Sequence, residues 1–236
     1  MRHPIIDQNL GSYLIGTTSP DVHIITGASR KETHFVDLEE EILESGATLV
    51  FKAHPHLAKG NKLDPATKSF VAGYLSHLVT DEVWILDIYR PYFGHLSPLS
   101  GDPMANMLDR LLQFELDRRE REDKEKMEAI RALICDWEPG VDIDFIDPSI
   151  LMQWRDFMCD ATRREATLAF FPFFAQRFLL ARQKIDTEQL EPFLSAIPAK
   201  LDWTIQYVTP QRLTAFKEKA ISQSVAIARE YLGEDN

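Results

Sequence analysis

Basic charge is scarce in this chain: 26 lysines and arginines stand against 37 acidic residues, for a formal net charge of -11. That balance argues against a nucleic-acid groove or an anionic membrane surface as the main partner, because both attract basic proteins. The one dense basic run, Arg118, Arg119 and Arg121, is surrounded by Glu115, Asp117, Glu120, Glu122 and Asp123 and reads as a solvated helix face. Cysteine is nearly absent. Cys135 and Cys159 are too few for a disulfide framework and read as two partly buried free thiols in a reducing compartment. Long apolar runs are missing too. The most apolar stretch, 168–175, contains Pro172 and is far short of the ~20 residues a bilayer span needs. The first ten residues are interrupted by Asp7, Gln8 and Asn9 and do not resemble a signal peptide, so the expected location is cytoplasmic. The chain contains no H-E-x-x-H zincin motif, nucleophile elbow, P-loop or adjacent His-Asp dyad. Alternating strand patterns are missing as well.

What is present is ordinary globular composition, 44% hydrophobic and 27% charged, in a chain of 236 residues, long enough to bury a core. The expected fold is all-α, a multi-helix bundle with a loop-rich N-terminus. It is read as a single mainly helical domain over 1–236, with a metal-site region at 1–95 and a helical extension at 103–236. Turn formers (Gly11, Gly16, Ser19-Pro20-Asp21, Gly27, Ser45-Gly46, Gly60-Asn61) make 1–65 look irregular, with short helices near 37–45 and 47–53. Asp64-Pro65 opens a strong helix expected to run from about 66 to 89 and to stop near Pro91. Further helices are expected at about 103–135, 148–163, 165–184 (kinked at Pro172), 187–207 as one helix or a broken pair, and from Pro210 to about 232.

All 7 histidines lie within the first 95 residues. Histidine is the commonest transition-metal ligand, so the crowding points to a site there. The sharpest piece is His77-Leu-Val-Thr-Asp81. On a helix, positions i and i+4 share a face, so one rigid element presents an imidazole and a carboxylate together. Phe70, Tyr74, Trp84 and Ile88 extend the stripe and turn the pair inward, where Asp81 needs a partner. A His–Asp hydrogen bond in a core would supply that partner as well as a metal would. The tight turn ending at Asp21, and Thr33-His34-Phe35 thirteen residues on, complete a set of two histidines and two carboxylates: Asp21, His34, His77 and Asp81. This set is neutral around a divalent ion and suits zinc, or alternatively iron or manganese.

Gly16-Thr-Thr-Ser-Pro-Asp21, Thr33-His34-Phe35 and the run from Ala72 through His77 and Asp81 to Trp84 resemble the zinc-dependent phospholipase C family, which is related to the zinc-dependent single-strand nucleases. The resemblance covers about residues 10–95. It implies an all-helical fold, zinc held by Asp21, His34, His77 and Asp81, phosphate-ester hydrolysis, and Asp21 as the catalytic base. The chain also departs from the family pattern. Asp87 stands where members carry a further histidine, and no His-x3-Glu follows Asp81. Members begin with a tryptophan that supplies ligands, whereas this chain begins Met1-Arg2-His3, with His3 as the nearest substitute. One metal position is thus complete and the others are not, with Asp87 an oxygen donor for a weak second one.

Softer candidates are His54 and His56, two close histidines in a loop; His23 near Asp21; His95 beyond Pro91; and Tyr74 and Arg90 as contacts for an anionic substrate. Glu82 points about 100° away from Asp81 on a helix and is not expected to be a ligand. Three readings follow. The first is a metal-dependent hydrolase of a phosphate-ester small molecule or lipid headgroup. The second is a catalytically inactive, metal-stabilised helical protein serving partner binding or oligomerisation. The third is a metal-free binding module with a buried polar network, in which the phenylalanines of 170–178 offer an apolar groove.

Overall fold

Residues 2–36, 45–176 and 187–233 are described in the structure, a computed structural model. Every regular element among them is helical, as the missing strand periodicity requires. The chain divides into two compact units, one made of Met1–Val83, Glu125–Arg164 and Lys219–Asn236, the other of Trp84–Lys124 and Glu165–Glu218. Residues after 103 therefore do not form a block of their own: 125–164 pack in the same unit as the expected ligands.

The first unit is organised on the Pro65–Trp84 helix. Asp64 starts it: its carboxylate accepts from the Ala66 and Thr67 amides at 2.9 and 3.0 Å and from the Thr67 hydroxyl at 2.6 Å. These bonds satisfy amides that the first turn would otherwise leave orphaned. The Leu10–Gly16 helix then crosses this helix at backbone contact. A Cβ on Gly73 would stand 2.2 Å from the Tyr13 carbonyl oxygen, and one on Gly16 would stand 2.1 Å from that of Phe70. Only glycine permits such an approach. Ile15, Leu57, Phe70, Tyr74, Leu75, Leu78 and Trp154 fill the core around the crossing. Two tryptophans fasten the outer helices to it: Trp137 Nε1 donates to Ser12 Oγ at 3.0 Å, and Trp154 Nε1 donates to Thr18 Oγ1 at 2.9 Å.

Cys135 and Cys159 are not free thiols but a disulfide, with Cα atoms 5.3 Å apart. Two cysteines 24 residues apart say nothing in sequence about proximity. The packing of the Lys124–Cys135 helix against Pro148–Arg163 in one core brings them together. Disulfides persist in oxidising compartments, so the reducing environment expected from composition does not account for this pair. Closing a loop of 24 residues limits the unfolded chain, and replacing both cysteines by alanine is expected to lower stability by about 3 kcal/mol. Urea denaturation of the oxidised wild type beside the double variant measures the difference.

The second unit has its own core of Trp84, Ile88, Met107, Leu111, Leu112 and Phe171. Among the described residues, its two buried carboxylates are satisfied. Asp109 accepts from Trp84 Nε1 at 3.0 Å and Gln113 Nε2 at 2.8 Å, and Glu115 is held by Arg118 and Arg119 at 2.7 Å each.

Several boundaries differ from expectation. The N-terminal region is more helical than its glycines suggest, with Pro4–Gln8, Leu10–Gly16, His23–Thr26 and Lys31–His34 in place of open loop. Gly11 and Gly16 serve helix packing there and do not form turns. The helix from Pro65 ends at Trp84 in a wide π-turn, Ile85–Tyr89, before Arg90–Tyr92. The expected single helix over 103–135 is two, Ala105–Glu120 and Lys124–Cys135, broken where the chain passes between the two units. Residues 165–167 are not helical. Leu168–Phe170 is a 3-10 turn that leads into Phe171–Phe174; 177–184 of that expected helix lie outside the described residues, as does nearly all of 37–45. The region 187–207 is the broken pair, Thr187–Ser195 and Ile197–Val208, and the last helix runs Pro210–Leu232. No helix among the described residues is long and apolar enough to cross a membrane.

Candidate metal centre

Three segments of the first unit come together around His34. The Pro65–Trp84 helix presents His77 and Asp81 one turn apart, as the i, i+4 spacing predicts. Tyr74, one turn back, donates its hydroxyl to the Thr33 carbonyl and so holds the neighbouring His34 against the same helix. The Lys31–His34 turn ends at His34 because Phe35 takes a left-handed conformation, with φ of 63°, which is strained for a residue with a large side chain. Asp21 sits in the Ser19–Val22 turn, which is tied to this segment by a 2.6 Å hydrogen bond from Thr33 Oγ1 to the Pro20 carbonyl.

His34 Nε2 is the hub. It lies 3.2 Å from His77 Nε2, 3.4 Å from Asp81 Oδ2 and 3.5 Å from Asp21 Oδ1. His77 Nε2 is 3.7 Å from Asp81 Oδ2. Donors ~2.0–2.2 Å from a tetrahedral zinc stand about 3.3–3.6 Å from one another, so the His34, His77 and Asp81 atoms are spaced like one face of such a site. The four expected ligands do not all close on one point, however. Two three-residue groups share His34: one is His34, His77 and Asp81, the other Asp21, His23 and His34. Asp21 thus stands beside the first triad, on the side that His23 shares.

The backbone sets the tautomers. His77 Nδ1 is 2.9 Å from the Thr17 carbonyl and His34 Nδ1 is 3.3 Å from the Arg30 carbonyl, so each Nδ1 carries a proton and donates it. Both Nε2 lone pairs then face each other across 3.2 Å, which requires a proton or a cation between them. Such outer hydrogen bonds orient metal-binding histidines generally. The close Thr17 carbonyl depends on the glycine crossing described above.

Electrostatics follow from the same contacts. Burial of His77 opposes its charged form, but the Asp81 carboxylate, with Asp21 and the Thr17 carbonyl, outweighs it and pushes the imidazole up to about 9. Burial lowers His34 below the ordinary histidine range. Burial would raise Asp81, yet the His77 charge, hydrogen bonds from both histidines and the Arg30 guanidinium hold it well below the usual carboxylate range. A histidine raised from 6.5 to about 9 stabilises the folded chain fully below 6.5, and the contribution is lost as pH rises through about 9. The metal-free protein is therefore expected to lose stability between these pH values. Urea melts across the range check this, and a His77→Gln variant should flatten the slope.

Arg30 escaped the sequence reading. Its Nη2 pairs with Asp81 Oδ2. The signal that would have found it is the Arg30–His34 spacing, which puts both on one side of the same helical turn. His23 is buried, with Nδ1 3.3 Å from the Pro20 carbonyl and 3.9 Å from Asp21 Oδ1. Other candidates lie elsewhere. His3 Nδ1 accepts from the Ile5 amide at 3.2 Å and caps the first helix. His54 and His56 face Asp144, at 2.7 and 3.7 Å. Glu82 Oε1 accepts from the Gly46 amide at 2.6 Å, pointing away as its helical position predicts. Asp87, Arg90 and His95 belong to the second unit. Comparisons with family models, curated proteins and solved structures found no match.

Proposed function

We propose that the protein is a metal-dependent phosphoric-ester hydrolase resembling zinc-dependent phospholipase C, with a single metal position. One observation carries the reading: three donors converge while a carboxylate, Asp21, stands alongside without closing the set. Closed four-ligand zinc is structural, whereas three protein ligands leave the open position that catalysis needs. His34, His77 and Asp81 would hold the ion, zinc by donor chemistry and otherwise iron or manganese. When bound, the ion would supply Lewis acidity toward a phosphoryl oxygen and toward water.

The chain's own groups do the rest. His34 is buried and His77 nearly so, while Asp21 and Asp81 keep over a third of their side chains exposed, 39% and 34%. On its exposed side, Asp21 would take a proton from a water, and general-base groups of this kind contribute about 10²–10⁴-fold. Asp21→Asn is expected to keep its metal and to lose hydrolysis of bis(p-nitrophenyl) phosphate by that order, as measured by p-nitrophenolate release. Retained turnover in Asp21→Asn would refute the base assignment. Absence of turnover in the metal-loaded wild type, on this ester and on phosphatidylcholine, would refute the hydrolase.

A second reading, an inactive helical protein serving partner binding or oligomerisation, draws on the Arg30–Asp81 pair, which satisfies the carboxylate without any ion. The expected cytoplasmic location sits poorly with the disulfide, and we favour an oxidising compartment.

A further inference from the structure

Resting on the metal reading above, we propose that Arg30 is the oxyanion-binding residue of this centre, and that its ligand is the phosphate group of a phosphate ester. The guanidinium lies against the triad, with Nη2 paired to Asp81 Oδ2, the same oxygen that faces His34 and His77. Its other terminal nitrogen, Nη1, is buried and has no hydrogen-bond partner. A buried guanidinium N–H without an acceptor is costly, and of the three buried side-chain atoms left in this condition among the described residues only Arg30 Nη1 belongs to this site. Guanidinium is a planar fork, so one arm can hold a carboxylate while the other donates to a second oxyanion. Lysine, a point charge, cannot divide itself in this way.

Charge points to the same ligand. Ionised Asp21 and Asp81 neutralise a divalent cation, and Arg30 then leaves the group with one positive charge in excess. A bound anion removes that excess, whereas a neutral ester or amide does not. Arg30 is 23% exposed, between the buried histidines and the exposed Asp21.

The test uses the full chain loaded with zinc: inorganic phosphate is titrated calorimetrically into wild type, Arg30→Gln and Arg30→Lys, with the zinc content of each measured beside it. Arg30→Gln is expected to keep zinc and to bind phosphate at least about tenfold more weakly, with Arg30→Lys recovering part of the loss. If Arg30 only braces Asp81, zinc affinity falls in Arg30→Gln while phosphate affinity at saturating zinc does not, and the proposal is overturned. Wild type that holds zinc but ignores phosphate overturns it as well. Wild type without zinc removes the metal reading, and this proposal with it. Displacement of phosphate by glycerophosphocholine identifies a soluble ester as the source, displacement by phosphatidylcholine vesicles a lipid headgroup, and displacement by neither rejects the ester.

Discussion

His77→Ala and Asp81→Ala, purified untagged beside the wild type, are expected to lose zinc from about one equivalent per chain to background by elemental analysis. The expectation is large because each variant removes one donor of the three-residue group His34, His77 and Asp81. Disturbing a mere supporting hydrogen bond costs ~10–100-fold in affinity, and loss of a ligand should exceed that. His77→Ala also leaves the Thr17 carbonyl without its imidazole donor. His34→Ala should behave in the same way, since His34 Nε2 is the atom nearest to all the others. Asp21→Asn should retain the ion, and this contrast separates the three-donor geometry from the four-ligand set that the family resemblance implies. Zinc absent from wild type even after reconstitution would leave a His77 imidazolium as the bridge between the two histidines, and the third reading, a buried polar network, would stand.

Gly73→Ala and Gly16→Ala are expected to destabilise the chain by about 2 kcal/mol or more, although alanine is intrinsically the better helix former by ~1 kcal/mol. The obstructing atoms, 2.1–2.2 Å from the new methyl, are backbone carbonyl oxygens and cannot rotate away. The two helices must part. Because His77 Nδ1 donates across this crossing to the Thr17 carbonyl, zinc affinity should fall with stability, even though neither glycine touches the site. Gly140, with open space around its Cβ direction, supplies the control: Gly140→Ala should stay within ~0.5 kcal/mol. Urea denaturation followed by zinc titration reads both effects, and a Gly73→Ala protein as stable as the control would refute the crossing.

The His77–Asp81 pair was readable from the sequence because a helix makes spacing equivalent to proximity. His34 and Asp21 could be named as ligand types but not placed beside the helix, since their approach depends on the Tyr74–Thr33 and Thr33–Pro20 bonds, which span 41 and 13 residues. Asp21's separation from the triad and Arg30's pairing with Asp81 are tertiary facts without a local signature. Helix termini were legible where a cap or proline marks them, as at Asp64 and Pro210. They were not legible where packing decides, as in the break between Glu120 and Lys124. Glycines misled for a physical reason: at Gly16 the missing Cβ serves contact between two backbones and not a turn. The disulfide was invisible because connectivity is a property of the folded core.

The division of the chain also sets an order of events during synthesis. The unit that carries the candidate metal centre draws a late piece from Lys219 onward, where Ser224 Oγ donates to the Ser76 carbonyl at 3.2 Å and Ala228 packs on Ala72, both on the helix that bears His77. Everything belonging to the other unit is translated before that piece exists. The ribosome therefore delivers Asp21, His34, His77 and Asp81 early and their supporting helix from Lys219 onward late, so the candidate centre completes its packing only after the other unit has been synthesised.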